Sequence, residues 1–116
     1  MSPKYFIEII RKVVHEQSVN DTIETLENPI GNEPSQENLK QSEFYKSLSD
    51  ENREILRNIL YNTSEMTLFG LLCVLDGVRA IENGEEKGAL ELWYRKGDYT
   101  ELLNDPDNEF LHDLFL

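Results

Sequence analysis

Long apolar stretches are missing from this sequence, and their absence bounds it first. The longest run, Leu68 to Leu75, is eight residues, far short of the roughly 20 that a membrane-spanning helix needs. Charges are scattered through the first 20 residues, where a secretion signal would place an uninterrupted apolar core. A cytoplasmic protein is the expectation. Cysteine is nearly absent too. Cys73 stands alone, so no internal disulfide can form, and a reducing compartment suits the chain. Within its apolar run Cys73 reads as a small buried hydrophobe. Asn20-Asp21-Thr22 and Asn62-Thr63-Ser64 match the glycosylation pattern, but without a secretion signal the match carries no meaning.

Basic residues are also scarce. Eleven Lys and Arg stand against 23 Asp and Glu, for a formal net charge of −12. A field of that sign repels nucleic-acid phosphates and anionic lipid. Nucleic acid and membrane surfaces are therefore not expected partners, whereas a basic protein is admitted. The acidity is uneven. Residues 16–43 hold seven acids and one base, and residues 82–116 hold ten acids and three bases.

Motifs that carry chemistry are missing as well. The glycines at 70, 77, 84 and 88 fit neither a dinucleotide-binding fingerprint nor a phosphate loop. Asp105, Asp107 and Glu109 have the two-residue spacing that opens a calcium loop. However, Phe110 occupies the position where the glycine belongs, and Leu116 the position of the bidentate acid. Two distant histidines and one cysteine make no zinc pattern. No metal, no cofactor and no catalytic residue is assigned. His15 falls where the first helix is expected to end, a place that favours an imidazolium. Asp76 follows the apolar run and needs a partner if buried. Arg79, three residues on, is the expected one, with a cap on a neighbouring backbone segment as the other structural role. Gly70 and Gly77, two helical turns apart, suggest close approach by another helix.

What is present is enough for one domain. The 116 residues, 39% of them hydrophobic, fit a single core spanning residues 1–116. The fold expected is α+β and predominantly helical, with about five helices around a buried central helix (about 65–82) and a β-hairpin (about 89–103).

Ser2-Pro3 opens a helix over about 3–17, with Phe6, Ile9, Ile10, Val13 and Val14 on one face. Ser18-Val19-Asn20 interrupts it, and a short helix capped by Asp21 and Glu24 runs to Asn28, before Pro29. Ser35 caps a helix over about 36–48, with Leu39, Phe44, Tyr45 and Leu48 inward. Ser49 caps the next, which presents Ile55, Leu56, Ile59 and Leu60. Asn62-Thr63-Ser64 marks a break before the central helix. That helix is apolar nearly all round, as buried helices are. The expected core includes Phe6, Ile10, Ile59, Phe69, Leu72, Cys73 and Val74.

Asn83-Gly84 ends the helical part. Ala89 to Arg95 alternates, placing Leu90, Leu92 and Tyr94 on one face and Trp93 on the other. Lys96-Gly97-Asp98 turns the chain back. Phe110 to Leu116 is a short helix or strand that docks on the body.

The expected function follows from small size, acidity and missing catalytic parts. It is a non-enzymatic protein-interaction domain, an inhibitor of the bacterial immunity or antitoxin type that blocks a basic, toxin-like partner protein. Its partner-binding surface is expected at Glu82, Glu85, Glu86, Trp93, Tyr94, Asp105, Asp107 and Glu109. The alternative is a small enzyme or ligand-binding domain with a pocket near Asp76, His112 and Asp113. A helical homodimer built on the central helix is compatible with either.

Overall fold

A computed structural model describes residues 1–116. Ser2 is extended (φ −78°, ψ 155°), its hydroxyl accepts from the Tyr5 N–H, and Pro3 opens the helix. Helix α1, Pro3–Ile10, does not stop near residue 17. It passes through a π-helical segment, Arg11–Glu16, into α2, Gln17–Glu27, with helical dihedrals at both junctions. The polar residues that suggested an interruption are absorbed inside it. Ser18 and Thr22 donate their hydroxyls to the carbonyls of Val14 and Ser18, one turn back. The helix ends at Asn28, as Pro29 dictates.

Helices α3, Gln36–Ser47, and α4, Asp50–Leu75, open on the expected serine caps. Ser35 accepts from the Asn38 N–H and Ser49 from the Asn52 N–H. Helix α4 runs 26 residues without the break expected at Asn62-Thr63-Ser64. Thr63 and Thr67 bond back to the Ile59 and Thr63 carbonyls, and Ser64 turns to His15. The helix also stops earlier than expected, at Leu75 rather than near 82. Gly77 adopts φ +76°, the left-handed conformation that closes helices. The Val78 and Arg79 N–H groups then bond the Cys73 carbonyl.

The hairpin is shorter than 89–103. Strand β1, Trp93–Lys96, pairs antiparallel with β2, Tyr99–Leu102, with Trp93 opposite Leu102 and Lys96 opposite Tyr99. Gly97 supplies the positive φ, +59°, of the two-residue turn. The carboxy-terminal segment resolves as helix α5, Leu111–Phe115. The domain is thus predominantly helical with one small hairpin.

The first helical rod and α4 lie antiparallel. Arg11 meets Glu65, His15 meets Ser64, and Asn20 meets Arg57. At one end α3 packs on α2, where Ser42 bonds the Leu26 carbonyl. At the other end α5 wedges between α1 and α4, and Ile7, Leu72, Leu111 and Phe115 form the core with Phe6, Leu68 and Phe69 packed against them. Leu72 and Cys73 are buried as expected, and Phe6, Ile10, Phe69 and Val74 are partly buried. Ile59 and Phe44 are exposed instead. Helix α4 is therefore not a buried central helix. Only its last turns are enclosed, because α5 and the hairpin cover that end alone.

Candidate functional site

The end of α4 gathers the residues with chemical potential. Asp76 caps α4 and is turned inward, its side chain 1% exposed. One carboxylate oxygen accepts from the Leu111 N–H at 3.2 Å. The other accepts from the His112 N–H at 2.9 Å and faces the His112 Nδ1 at 2.7 Å. Asp76 thereby supplies the N-terminal cap that Phe110 cannot give to α5. A carboxylate only accepts, so this contact places a proton on Nδ1. Nε2 lies 3.4 Å from Asp113 Oδ1. Phe110 stacks on the ring, with centroids 5.4 Å apart, and Phe69 meets it edge-on at 5.7 Å.

The expected Asp76–Arg79 pair does not form. The left-handed turn at Gly77 sends Arg79 back over α4, where a Cβ on Gly70 would collide with its guanidinium. Gly70 thus makes room for an arginine rather than a neighbouring helix, and Gly77 lies outside the helix altogether.

Asp76, His112 and Asp113 therefore meet, but as a fastening. Both Asp76 oxygens are occupied, and no hydroxyl or thiol bonds the His112 ring. A cleft of about 200 Å³ borders Asp76, Arg79, Glu82, Lys87, Asn104 and Pro106, and neither His112 nor Asp113 lines it. No group of three or more His, Cys, Asp or Glu side chains stands together to hold a metal.

The acidic residues singled out from sequence divide among neighbouring loops. Glu82, Glu85 and Glu86 lie on the exposed segment between α4 and β1. Glu82 accepts from the Gly88 N–H at 2.9 Å. Asp105 accepts from the Asp107 N–H at 3.0 Å, which tightens its own turn. The cleft touches both Glu82 and Pro106, so these two loops border one another. Glu109 stands apart, sharing a second depression with Ser2, Pro3 and Lys4 at the start of α1. Trp93 is 44% exposed, while Tyr94 is partly buried against Tyr99, with ring centroids 6.1 Å apart. The Glu101 carboxylate accepts the Tyr99 hydroxyl, and that bond raises the tyrosine pKa.

Two residues matter in ways that the sequence did not reveal. Asn104 is buried and clasps two segments to its own. Its amide donates to the Leu75 carbonyl at 2.7 Å and the Leu90 carbonyl at 2.8 Å, and its oxygen accepts from the Leu92 N–H at 2.8 Å. In sequence it is one polar residue of an Asn-Asp-Pro-Asp-Asn loop, with no periodicity to mark it. His15 was noticed but misplaced. It sits mid-rod and fully buried, its Nδ1 2.8 Å from Ser64 Oγ and its Nε2 unpartnered. Its ring lies against Tyr61, centroids 4.3 Å apart. Burial lowers its pKa, Arg11 adds to that, and Glu65 and Glu16 oppose it. It is a neutral core residue, not an imidazolium at a helix end.

No protein-family model, no curated protein and no solved structure matches the chain.

Proposed function

We propose that this protein is a non-enzymatic interaction domain that binds a basic protein through its acidic loops, as an inhibitor of the immunity or antitoxin type does. The observation that carries this reading is the exposed segment between α4 and β1. Glu82, Glu85 and Glu86 face solvent there, and the half-exposed Trp93 opens the strand that follows. The mutual repulsion of clustered like charges opposes folding, whereas a cationic partner would neutralise them and be steered by them. Trp93 supplies the apolar anchor that charge alone lacks. The loop of Asp105 and Asp107 extends the same acidic surface, since it shares the cleft with Glu82.

The alternative, an enzyme built on Asp76, His112 and Asp113, finds less support. A general base needs a free nitrogen facing a substrate proton, and both His112 nitrogens already face carboxylates.

The test is association with the product of the neighbouring gene, measured across a salt series. Glu85→Lys with Glu86→Lys should slow association, most strongly at low salt. An unchanged rate with unchanged salt dependence would remove the acidic loop from the binding surface.

A further inference from the structure

From the outer face of α4 we infer that this protein is a homodimer, joined by a seam of Ile55, Ile59, Asn62 and Met66. These residues follow one another at spacings of four, three and four, the alternation of a coiled-coil seam. Phe69 and Cys73 continue the same series, and there the chain's own folding encloses it. Over the preceding three turns nothing covers it. Ile55 is 51% exposed, Ile59 55% and Met66 74%.

Charge distinguishes this strip from ordinary solvated surface. The chain is 29% charged, yet between Ile55 and Met66 only Arg57 and Glu65 carry charge. Both turn the other way, Arg57 to Asn20 at 2.6 Å and Glu65 to Arg11 at 3.6 Å. The exposed face is left with Asn58, Asn62 and Thr63 beside its aliphatic residues. Thr63 donates its hydroxyl to the Ile59 carbonyl, so that group is satisfied without water. Glu, Lys and Gln are the natural fillers of a solvated helical position. This chain, rich in Glu elsewhere, places two isoleucines and a methionine there instead.

The exposed area leaves room for such a cover. A compact monomer of 13.5 kDa exposes about 6,500 Å², whereas this chain exposes 8493 Å². The extended loop after α4 accounts for part of the excess of about 2,000 Å². A stable interface takes about 800 Å² from each partner, and the remainder leaves room for it. The radius of gyration, 18.6 Å, likewise exceeds the ~13 Å of a compact domain of this length.

A second copy is the occupant because the seam is self-complementary and uncharged. Two chains of net charge −12 meet where neither brings a carboxylate, while the charged flanks stay in water. Asn62 against its counterpart would set the register, as a lone seam asparagine does. The acidic loops lie beyond the enclosed end of α4, so the dimer leaves them free.

The experiment is light scattering with sedimentation velocity on the full chain over a concentration series at 0.05 and 0.5 M NaCl. The expected mass is twice the 13.5 kDa of the chain, with association tighter at high salt because net repulsion is screened. Ile59→Glu and Met66→Glu should each weaken dimerisation at least tenfold while helix content stays unchanged. Ile30→Glu, the same change at an exposed loop residue away from the seam, should leave the dimer intact. A chain that stays monomeric throughout overturns the inference. So does a dimer that ignores both seam substitutions, or one that Ile30→Glu breaks equally.

Discussion

Replacing Asp76 with alanine should cost this small domain a large share of its stability. The carboxylate is 1% exposed. It satisfies two backbone N–H groups at the start of α5 and one imidazole N–H. Alanine would leave those donors facing a partly buried gap. An unmet buried donor costs about 1–3 kcal/mol, and losing one member of a buried polar pair costs about 3–5 kcal/mol. These figures overlap rather than add, so we expect a loss of about 3–5 kcal/mol. That is a fifth or more of the ~5–15 kcal/mol that holds a typical domain. The damage should be local first, since α5 brings the fully buried Leu111 and Phe115 to the core. Asp76→Asn keeps one acceptor oxygen and should lose less. Urea unfolding followed by circular dichroism gives the free energy, and amide exchange at Leu111 and His112 reports whether α5 frays. A loss below about 0.5 kcal/mol for Asp76→Ala, the range of ordinary surface changes, would refute the view that Asp76 is a structural cap.

Leu72 is 3% exposed within the core cluster, and Leu72→Ala should cost about 2–5 kcal/mol by the same unfolding assay. A loss under about 0.5 kcal/mol would place the core elsewhere. His15 makes stability depend on pH. Burial holds its pKa in the folded protein below the ordinary 6.5, so the unfolded chain takes up the proton first. The stability His15 contributes is intact above that value and is lost as pH falls below it, at up to ~1.4 kcal/mol per pH unit. His15→Leu should flatten the unfolding profile just below about pH 6.5, and parallel profiles would refute this.

Local chemistry was legible wherever a residue acts on its own neighbours. Ser2, Ser35 and Ser49 each cap a helix because a short hydroxyl reaches an N–H three residues on. Pro29 stops α2 because its ring excludes the helical conformation before it. The Gly97 turn and its flanking strands were readable for a similar reason. Helix continuity was not. Ser18, Thr63 and Ser64 read as breakers, because free hydroxyls compete with the helix for backbone groups. In the fold they bond one turn back or across to His15, and that choice depends on packing.

Composition and spacing by themselves determined a helical, acidic domain with one hairpin and a short docking segment at its end. Tertiary structure alone decided which polar groups share a site. Asp76 had two plausible partners, and proximity in sequence favoured Arg79. The left-handed turn at Gly77 carried Arg79 away, while the packing of α5 on α1 and α4 brought His112 in from 36 residues along the chain. Asn104 bridges 29 residues to Leu75 in the same way. Such contacts arise from packing of nonadjacent segments, which no local spacing encodes. The open face of α4 has the same origin. Its periodicity marks a helix that buries apolar side chains, but only the path of α5 and the hairpin determines which turns the chain covers itself.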